Sequence, residues 1–314
     1  MSYTDNLIVN NAKTILNQVK TVVVGKNKTL LWVLAAILAK GHILMEDIPG
    51  VGKTTMALAF ARTLGLDTSR VQFTPDVLPS DVTGYSILSQ NGSMVYKPGA
   101  VLCNLFLADE LNRATSRTQS ALLEAMEEGQ VTVDGQTHKI PQPFFVIATQ
   151  NPTGAAGTQP LPDSQADRFM VQLSMGYPSL EDEIAMVDSR QGKNPLQDLR
   201  PVLSGEDLIA MQELVEKTYI SKEVTAYIVT LIHETRKHPK VELGASPRGT
   251  LAVVSMSKAI AQLRGRDYVV PKDVQEVFIH TLSHRINMKP EAQEMQSAEV
   301  LQQILQSVKA PTVN

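Results

Sequence analysis

The chain has 314 residues, of which 43% are hydrophobic and 19% are charged, which is typical of a folded protein long enough for two domains. This composition excludes a disordered chain, a collagen and a coiled-coil array. Lys and Arg together number 29 and Asp and Glu 32, giving a formal net charge of -3, which argues against nonspecific nucleic-acid binding because such binding depends on excess positive charge.

The N-terminal region predicts a buried helix and neither a secretion signal nor a membrane span. The chain begins Met-Ser-Tyr-Thr-Asp, with no basic region before a hydrophobic stretch, so we expect a cytoplasmic protein. The longest apolar run, Leu30 to Ala39, has ten residues, well short of the roughly 18 that a membrane span requires. We therefore interpret this run as a helix of the core.

A glycine-rich loop follows the first predicted strand. His42 to Glu46 forms a short apolar run, and an apolar helix pattern begins at Met56, so the loop connects a buried strand to a helix. Gly50 and Gly52 allow backbone N–H groups to face a polyphosphate, whose negative charge the following helix N-terminus favours. The strict phosphate-loop pattern has a glycine where this chain has Asp47.

The side chains of this loop supply the charge and the hydroxyl group that nucleotide binding needs. Lys53 can reach the β and γ phosphates, and Thr54 can hold Mg²⁺. The loop therefore predicts a site for ATP with Mg²⁺. The predicted loop contacts are Pro49, Gly50, Val51, Gly52, Lys53, Thr54 and Thr55.

Two acidic residues follow the second predicted buried strand, Leu105 to Ala108. The carboxyl ends of parallel strands meet at one edge of a sheet, so Asp109 and Glu110 are expected beside the phosphate loop. Asp109 would then bind Mg²⁺ directly or through water. Glu110 would orient and deprotonate the water that attacks the γ-phosphate.

The third predicted buried strand, Phe144 to Thr149, leads into Gln150-Asn151-Pro152. Asn151 could hold the attacking water at the same sheet edge, or it could only cap a turn before Pro152. Three buried strands separated by helices predict a parallel sheet.

Two hairpins interrupt this α/β pattern. Asn91-Gly92 and Asp134-Gly135 each lie between strand-like segments, and such dipeptides favour tight hairpin turns. We predict hairpins over Ser86 to Val95 and Gln130 to Ile140, with a structural or a functional role equally open. Cys103, the one cysteine, lies in an apolar context that predicts a buried, unreactive thiol.

The pattern changes near residue 180, and only helical spacing recurs after it. The predicted organisation is an α/β domain over 1–180 and a smaller all-helical domain over 181–314. His280 and His284 are four residues apart, but Thr281 stands where a zinc protease needs glutamate, so we expect two helix-surface histidines. The predicted helices are 181–191, 205–217, 222–237, 249–264 and 272–284, with a last one within 294–308.

With these motifs the chain resembles the AAA+ ATPases, and more narrowly the MoxR family. The resemblance extends over nearly the whole chain, and members often carry an acid at the position of Asp47. The stretches that carry it are QFTPDVLPSDVTG at 72–84, ADELNRA at 108–114, ATQNP at 148–152 and QADRF at 165–169.

The resemblance implies roles for residues beyond the loop and the acidic pair. Asn151 looks like sensor 1, and Arg248, in Ser-Pro-Arg-Gly, looks like sensor 2 from the helical lid. Val24 and Gly25 look like the family's adenine contact. The two hairpins would face the central pore, as in related rings.

An arginine finger acting on the ATP of a neighbouring subunit is also implied. Arg168 is the residue that matches the family's finger, with Arg113 and Arg117 as alternatives near the expected subunit edge. A finger supplied by a second chain neutralises transition-state charge only after assembly, so hydrolysis would depend on the ring.

The resemblance finally implies a Mg²⁺-dependent ATPase, assembled as a hexameric ring, that remodels or matures other proteins. The usual partner in the family is a protein with a von Willebrand factor A domain. Two other functions remain open: a DNA-translocating, helicase-like ring ATPase, and the ATPase subunit of a metal chelatase. The net charge of -3 argues against the first.

Overall fold

The computed structural model describes residues 3–48, 50–151, 161–189, 194–292 and 294–312. The strands are β1 Ile43–Glu46, β2 Thr68–Gln72, β3 Gly84–Leu88, β4 Met94–Pro98, β5 Leu105–Asp109, β6 Gln130–Val133, β7 Gln136–Lys139, β8 Phe145–Gln150, β9 Val171–Leu173, β10 Val241–Leu243 and β11 Asn287–Met288. The helices are α1 Tyr3–Lys20, α2 Asn27–Leu38, α3 Lys53–Thr63, α4 Pro79–Thr83, α5 Ser116–Glu128, α6 Asp163–Ala166, α7 Leu180–Ser189, α8 Pro195–Asp198, α9 Gly205–Glu216, α10 Lys222–Lys237, α11 Pro247–Leu263, α12 Pro271–Leu282 and α13 Ser297–Ser307.

A parallel five-stranded sheet forms the centre of the N-terminal α/β region, in the order β2-β5-β8-β1-β9. The three predicted buried strands, β1, β5 and β8, are confirmed and lie next to one another. Their side chains are almost entirely buried, as expected for a sheet covered on both faces. Because the strands are parallel, their carboxyl ends place Glu46, Asp109 and Gln150 along one edge.

Alternation along these strands produces two hydrophobic clusters, one on each face of the sheet. Ile43, Met45 and Leu107 contribute to the cluster that contains α1, α2, α3 and much of the C-terminal helical region. Leu44 and Phe106 contribute to the cluster that contains α5. The predicted helix of the Leu30–Ala39 run is confirmed as α2, and its apolar side chains are part of the first cluster.

The helical region after residue 180 follows the prediction closely, with two additions, the short helix α8 and a two-stranded ribbon. Helices α7, α9, α10, α11, α12 and α13 occupy the six predicted segments. A short antiparallel ribbon of β10 and β11 also forms there, which the prediction lacked because strands of two and three residues leave no readable period.

Both predicted hairpins are confirmed. β3 pairs with β4, and β6 pairs with β7. The residues at the turns take positive φ values, +83° at Gly92 and +75° at Gly135. The ring of Tyr96 on the first hairpin stacks on that of His138 on the second, with 3.6 Å between their centroids, so the two hairpins are in direct contact.

The prediction of two helix-surface histidines is wrong. The Nε2 atom of His284 lies 2.9 Å from the carbonyl oxygen of Phe169, and the His280 ring lies 4.9 Å from that of Trp32. Burial, with a smaller contribution from the Arg285 charge, lowers the pKa of His284 to about 3. Both rings face the N-terminal α/β region because α12 packs against it. Within the described ranges no helix is long and apolar enough to cross a membrane.

Candidate functional site

The loop between β1 and α3 presents an open backbone surface. Gly50 and Gly52 have φ values of +87° and +95°, a conformation that L side chains rarely adopt. No described atom lies within 4 Å of where a Cβ of Gly50 would stand. This cradle leaves room for a phosphate group against the N-terminus of α3. Pro49, also predicted as a contact, lies outside the described residues.

Asp47 has a structural role that explains its departure from the strict loop pattern. Its carboxylate accepts hydrogen bonds from the backbone N–H groups of Met175 and Gly176 and from the hydroxyl of Ser174 at 3.1 Å. The side chain is therefore an anchor between the loop and the segment that follows β9. Glycine at this position could not make these bonds.

Lys53 points into the loop. Its side chain is nearly buried, and Nζ donates to the carbonyl oxygens of Asp47 at 2.6 Å and Ile48 at 3.2 Å. Burial lowers the pKa of Lys53, against the opposing charges of Asp47, Asp109 and Glu110. The ammonium group is therefore held against the backbone of the glycine-rich loop, on the side where a bound polyphosphate would meet a positive charge.

Asp109 and Thr54 meet at the sheet edge as predicted. Thr54 Oγ1 donates to Asp109 Oδ2 at 3.2 Å, Thr149 Oγ1 donates to Oδ1 at 2.6 Å, and Arg70 Nη2 lies 2.7 Å from Oδ2. Burial would raise the pKa of Asp109, but the bonds from Thr149 and Arg70, the Arg70 charge and the Thr54 hydroxyl together hold that pKa below its ordinary value. Asp109 is therefore kept ionised, and carboxylate and hydroxyl oxygens are ligands that suit Mg²⁺.

Glu110 adopts a left-handed backbone conformation, with a φ of +56°, which is uncommon for a residue other than glycine. Its N–H donates to Thr149 Oγ1 at 2.9 Å, so one threonine hydroxyl contacts both residues of the acidic pair. Arg113 Nη1 lies 2.9 Å from Glu110 Oε2. Arg113, an alternative for the finger, thus pairs with the acid of its own chain.

Asn151 follows β8 at the same edge, where its backbone is held by a neighbouring side chain. Asn112 Nδ2 donates to the Asn151 carbonyl oxygen at 3.1 Å, and the Asn151 N–H lies 3.4 Å from Asn112 Oδ1. Asn112 is buried, so it ties the end of β8 to the turn after the acidic pair.

A cavity of about 320 Å³ lies beside the loop, a size suited to a small-molecule ligand. Val24 lines it, and Gly25, with a φ of +75°, packs against the carboxylate of Asp182. Apolar and acidic side chains of the segment entering α7 close the other side. The described lining is Val22, Val23, Val24, Lys26, Gly50, Val51, Gly52, Thr55, Met175, Tyr177, Pro178, Asp182, Glu183 and Met186.

Arg168 and Arg248 lie together, and neither is among the described residues that line this cavity. Arg168 Nη1 is 2.7 Å from Glu127 Oε2, and Arg248 Nη2 is 2.5 Å from Glu127 Oε1. Arg117 is exposed at the start of α5. The two predicted catalytic arginines therefore converge on one carboxylate of α5, outside the described lining of the cavity beside the loop.

Sequence analysis did not identify several residues that contact the predicted site residues, among them Thr149, Asn112, Arg70 and Glu127. Thr149 and Asn112 adjoin predicted motifs, and their position at strand ends was the available signal. Arg70 and Glu127 are single charged residues whose partners lie far away in the chain, and no local pattern marks them.

Comparisons with known proteins agree with this geometry. The model of the ATPase family associated with various cellular activities (AAA) matches residues 42–171, and that of the AAA lid domain matches residues 233–304. The uncharacterised YeaC protein of Bacillus subtilis is 46% identical, covering 99% of this chain and 98% of its own. Chaperone MoxR1 of Mycobacterium tuberculosis is 40% identical, covering 95% and 81% respectively.

A solved structure is similar over nearly its full length. The crystal structure of a Cytophaga hutchinsonii protein assigned as an ATPase superposes with a TM-score of 0.90, at 35% identity, over 98% of this chain and 97% of that one. Its parallel sheet and helical lid, together with relatives that align over 95–99% of its length, show that the chain belongs to the MoxR family of AAA+ ATPases.

Proposed function

We propose that this protein is a Mg²⁺-dependent ATPase that works as a hexameric ring and uses ATP hydrolysis to remodel or mature other proteins. The observation that carries the proposal is the convergence of an open glycine loop, a buried lysine and an ordered acidic pair at one sheet edge. ATP hydrolysis is the activity of the family, and one relative is named a chaperone. The assembly, the metal and the protein substrate are inferences for this chain.

The residues present fit the metal. Thr54 and Asp109 supply oxygen ligands 3.2 Å apart, and the bonds that Thr149 and Arg70 make to Asp109 keep its carboxylate charged and oriented. Bound Mg²⁺ would offset the negative charge of the phosphate groups.

In this proposal the remaining groups bind the nucleotide and prepare the water. Lys53 exchanges its loop carbonyl partners for the β and γ phosphates, and the adenine lies in the cavity by Val24. Glu110, oriented by Arg113, accepts the proton of the attacking water. Asn151, whose backbone Asn112 holds, positions that water.

The two clustered arginines complete the site of a second subunit. Arg168 and Arg248 converge on Glu127, outside the described lining of their own cavity, so we propose that both act on the ATP of the neighbour.

Mixing two inactive variants tests this action between subunits. Lys53→Ala protein has an intact arginine finger and an inactive ATP site, whereas Arg168→Ala protein has an intact ATP site and no finger. Each alone should be nearly inactive, and mixing them should restore part of the activity.

The experiment that tests the ATPase site separates binding from hydrolysis. Lys53→Ala should lose ATP binding because the phosphates lose their main cation, whereas Glu110→Gln should retain ATP and fail to release phosphate. Lys272→Ala and Glu128→Gln, both at exposed helix positions, are the matched controls. Wild-type hydrolysis by Glu110→Gln would refute the assignment of the base.

The Glu110→Gln variant, which should retain ATP without hydrolysing it, also tests the identity of the partner. Glu110→Gln loaded with ATP should retain a protein partner in a pull-down, and we propose one with a von Willebrand factor A domain. Strong stimulation of the ATPase by DNA would favour the helicase-like function instead, and capture of a macrocycle-metallating enzyme would favour the chelatase function.

A further inference from the structure

Glu127 holds two arginines from different parts of the fold. Arg168, between α6 and β9, binds Oε2, and Arg248, on α11, binds Oε1, at 2.7 Å and 2.5 Å. One carboxylate therefore brings a guanidinium of the nucleotide domain and one of the lid side by side. Guanidinium groups match the oxygen spacing of carboxylate and phosphate alike, so two of them held by one carboxylate are donors of the kind that a phosphate group accepts.

A second set of contacts fixes the same cluster from behind. Asp167, next to Arg168 in the chain, accepts from Ser246 Oγ at 2.9 Å and lies 3.6 Å from Arg248 Nη1. Arg285, whose side chain is only 2% exposed, lies 3.4 Å from Asp167 and also donates to the Phe169 carbonyl oxygen. Side chains of the lid therefore contact Asp167 and Phe169, the two residues that flank Arg168.

The arginines keep donors for an external acceptor. Arg168 makes its described bonds, to Glu127 and to the Leu123 carbonyl oxygen, through Nη1 alone. Among the described residues, none accepts a hydrogen bond from the Nη2 atom of Arg168. The side chains of Arg168 and Arg248 are 31% and 43% exposed, so a phosphate group approaching from outside the chain can reach both.

We infer that Glu127 is a positioning residue, which fixes Arg168 and Arg248 together so that both reach one phosphate group of the ATP bound by the neighbouring subunit. The inference rests on the proposed function, because it assigns an orienting carboxylate to the trans-acting arginines. Ion pairs between side chains as exposed as these contribute little to folding stability. Glu127 therefore acts on the geometry of catalysis and not on the stability of the fold.

Neighbouring carboxylates provide a matched control. Glu124 and Glu128 lie on the same helix and, with Glu127 and Arg168, line a second cavity that is distinct from the one beside the loop. Within the described residues neither lies within ion-pair distance of either arginine. Glu127→Gln and Glu128→Gln make the same charge change one residue apart. Any general effect of removing a negative charge from α5 appears in both variants.

The first measurement compares kcat, the KM for ATP and the thermal unfolding midpoint. Glu127→Gln should lower kcat by about tenfold to a hundredfold, the range that a small misplacement of catalytic groups produces. Its KM should change less than its kcat, because in the proposed function the loop around Lys53 and the cavity by Val24 make most of the contacts to the nucleotide. Its unfolding midpoint should stay at the wild-type value, because the ion pairs of Glu127 are exposed. Equal kcat in Glu127→Gln and Glu128→Gln would overturn the inference, and so would a loss explained by a lower unfolding midpoint.

The second measurement assigns the effect to one side of the interface. In mixtures of Lys53→Ala and Arg168→Ala protein, only the first donates a finger. Glu127→Gln added to the Lys53→Ala subunit should reduce the recovered activity, whereas the same change in the Arg168→Ala subunit should leave it unchanged. Equal effects on both sides would overturn the inference alone. Absence of recovery in the parent mixture, with co-assembly demonstrated, would refute the proposed trans action itself.

Discussion

Replacing Thr149 with valine tests the hydrogen bonding that orders the acidic pair. The Thr149 hydroxyl donates to Asp109 Oδ1 at 2.6 Å and accepts from the Glu110 N–H at 2.9 Å. Valine has nearly the same shape and offers neither bond. Thr149→Val therefore leaves an ionised carboxylate and a backbone N–H without a shared partner at a position that is 1% exposed.

The expected loss follows from these two bonds. A hydrogen bond to a charged group contributes about 1.5–3 kcal/mol, and an unsatisfied buried donor costs about 1–3 kcal/mol. Burying the added methyl group offsets part of this, so we expect the free energy of unfolding to fall by about 3 kcal/mol. The hydrolysis rate should fall too, because Asp109 and Glu110 lose their common anchor.

Thr63→Val is the matched control. Thr63 is fully buried, and within the described residues its hydroxyl has no hydrogen-bond partner. Replacing that hydroxyl with a methyl group should leave stability unchanged or raise it slightly, since an unpaired polar group is removed from the core.

Urea unfolding followed by tryptophan fluorescence measures both variants. Trp32 is the one tryptophan of the chain, and its contact with the ring of His280 makes its signal sensitive to both the nucleotide domain and the lid. The pKa of Asp109 lies below its ordinary value, so its contribution to stability is present above the unfolded pKa and is lost as pH falls through the folded one. The difference in urea unfolding midpoint between wild type and Thr149→Val should therefore become smaller at acidic pH. Equal midpoints for Thr149→Val and Thr63→Val at neutral pH would refute this reasoning.

Three further predictions concern the loop, the core and the partner class. Asp47→Ala should weaken ATP binding, measured by fluorescent-nucleotide titration, because the loop loses its bonds to the segment after β9, and an unchanged affinity would contradict that role. Burial lowers the pKa of His42 from 6.5 to about 4, although its hydrogen bond to the Met126 carbonyl group opposes this shift. The urea concentration at the unfolding midpoint should therefore decrease as the pH is lowered from 6.5 to about 4, because in this range the unfolded chain takes up a proton and the folded chain does not. His42→Gln should flatten this dependence, and the same change at exposed His233 should not. DNA and RNA at physiological salt should not raise the ATPase rate, because the net charge is -3, and a tenfold stimulation would count against protein remodelling.

The central strands could be predicted from the sequence, and the edge strands could not. β1, β5 and β8 are buried on both faces and consist of continuous apolar runs. β2, Thr68–Gln72, alternates between exposed and half-buried positions at one edge of the sheet. β9 has only three residues at the other edge. Polar composition in the first and brevity in the second made both resemble loops.

The candidate site shows the same division between local and distant information. The loop around Lys53 and the acidic pair at Asp109 are contiguous motifs, so their chemistry could be predicted. Arg70 reaches Asp109 across 39 positions, and Arg248 reaches Glu127 across 121. Such pairs depend on how the sheet and the lid pack together, and the spacing of residues along the sequence does not predict this packing.

The most direct measurement of the central claim is the ATP turnover per subunit as a function of assembly. Because Arg168 and Arg248 lie together on Glu127, outside the described lining of their own cavity, we propose that one chain alone lacks groups that hydrolysis needs. Diluting the protein while recording its mass distribution and phosphate release should show turnover rising with the assembled fraction and monomers that bind ATP but hydrolyse it slowly. Monomers that hydrolyse ATP at the same rate per subunit as the assembly would contradict the account.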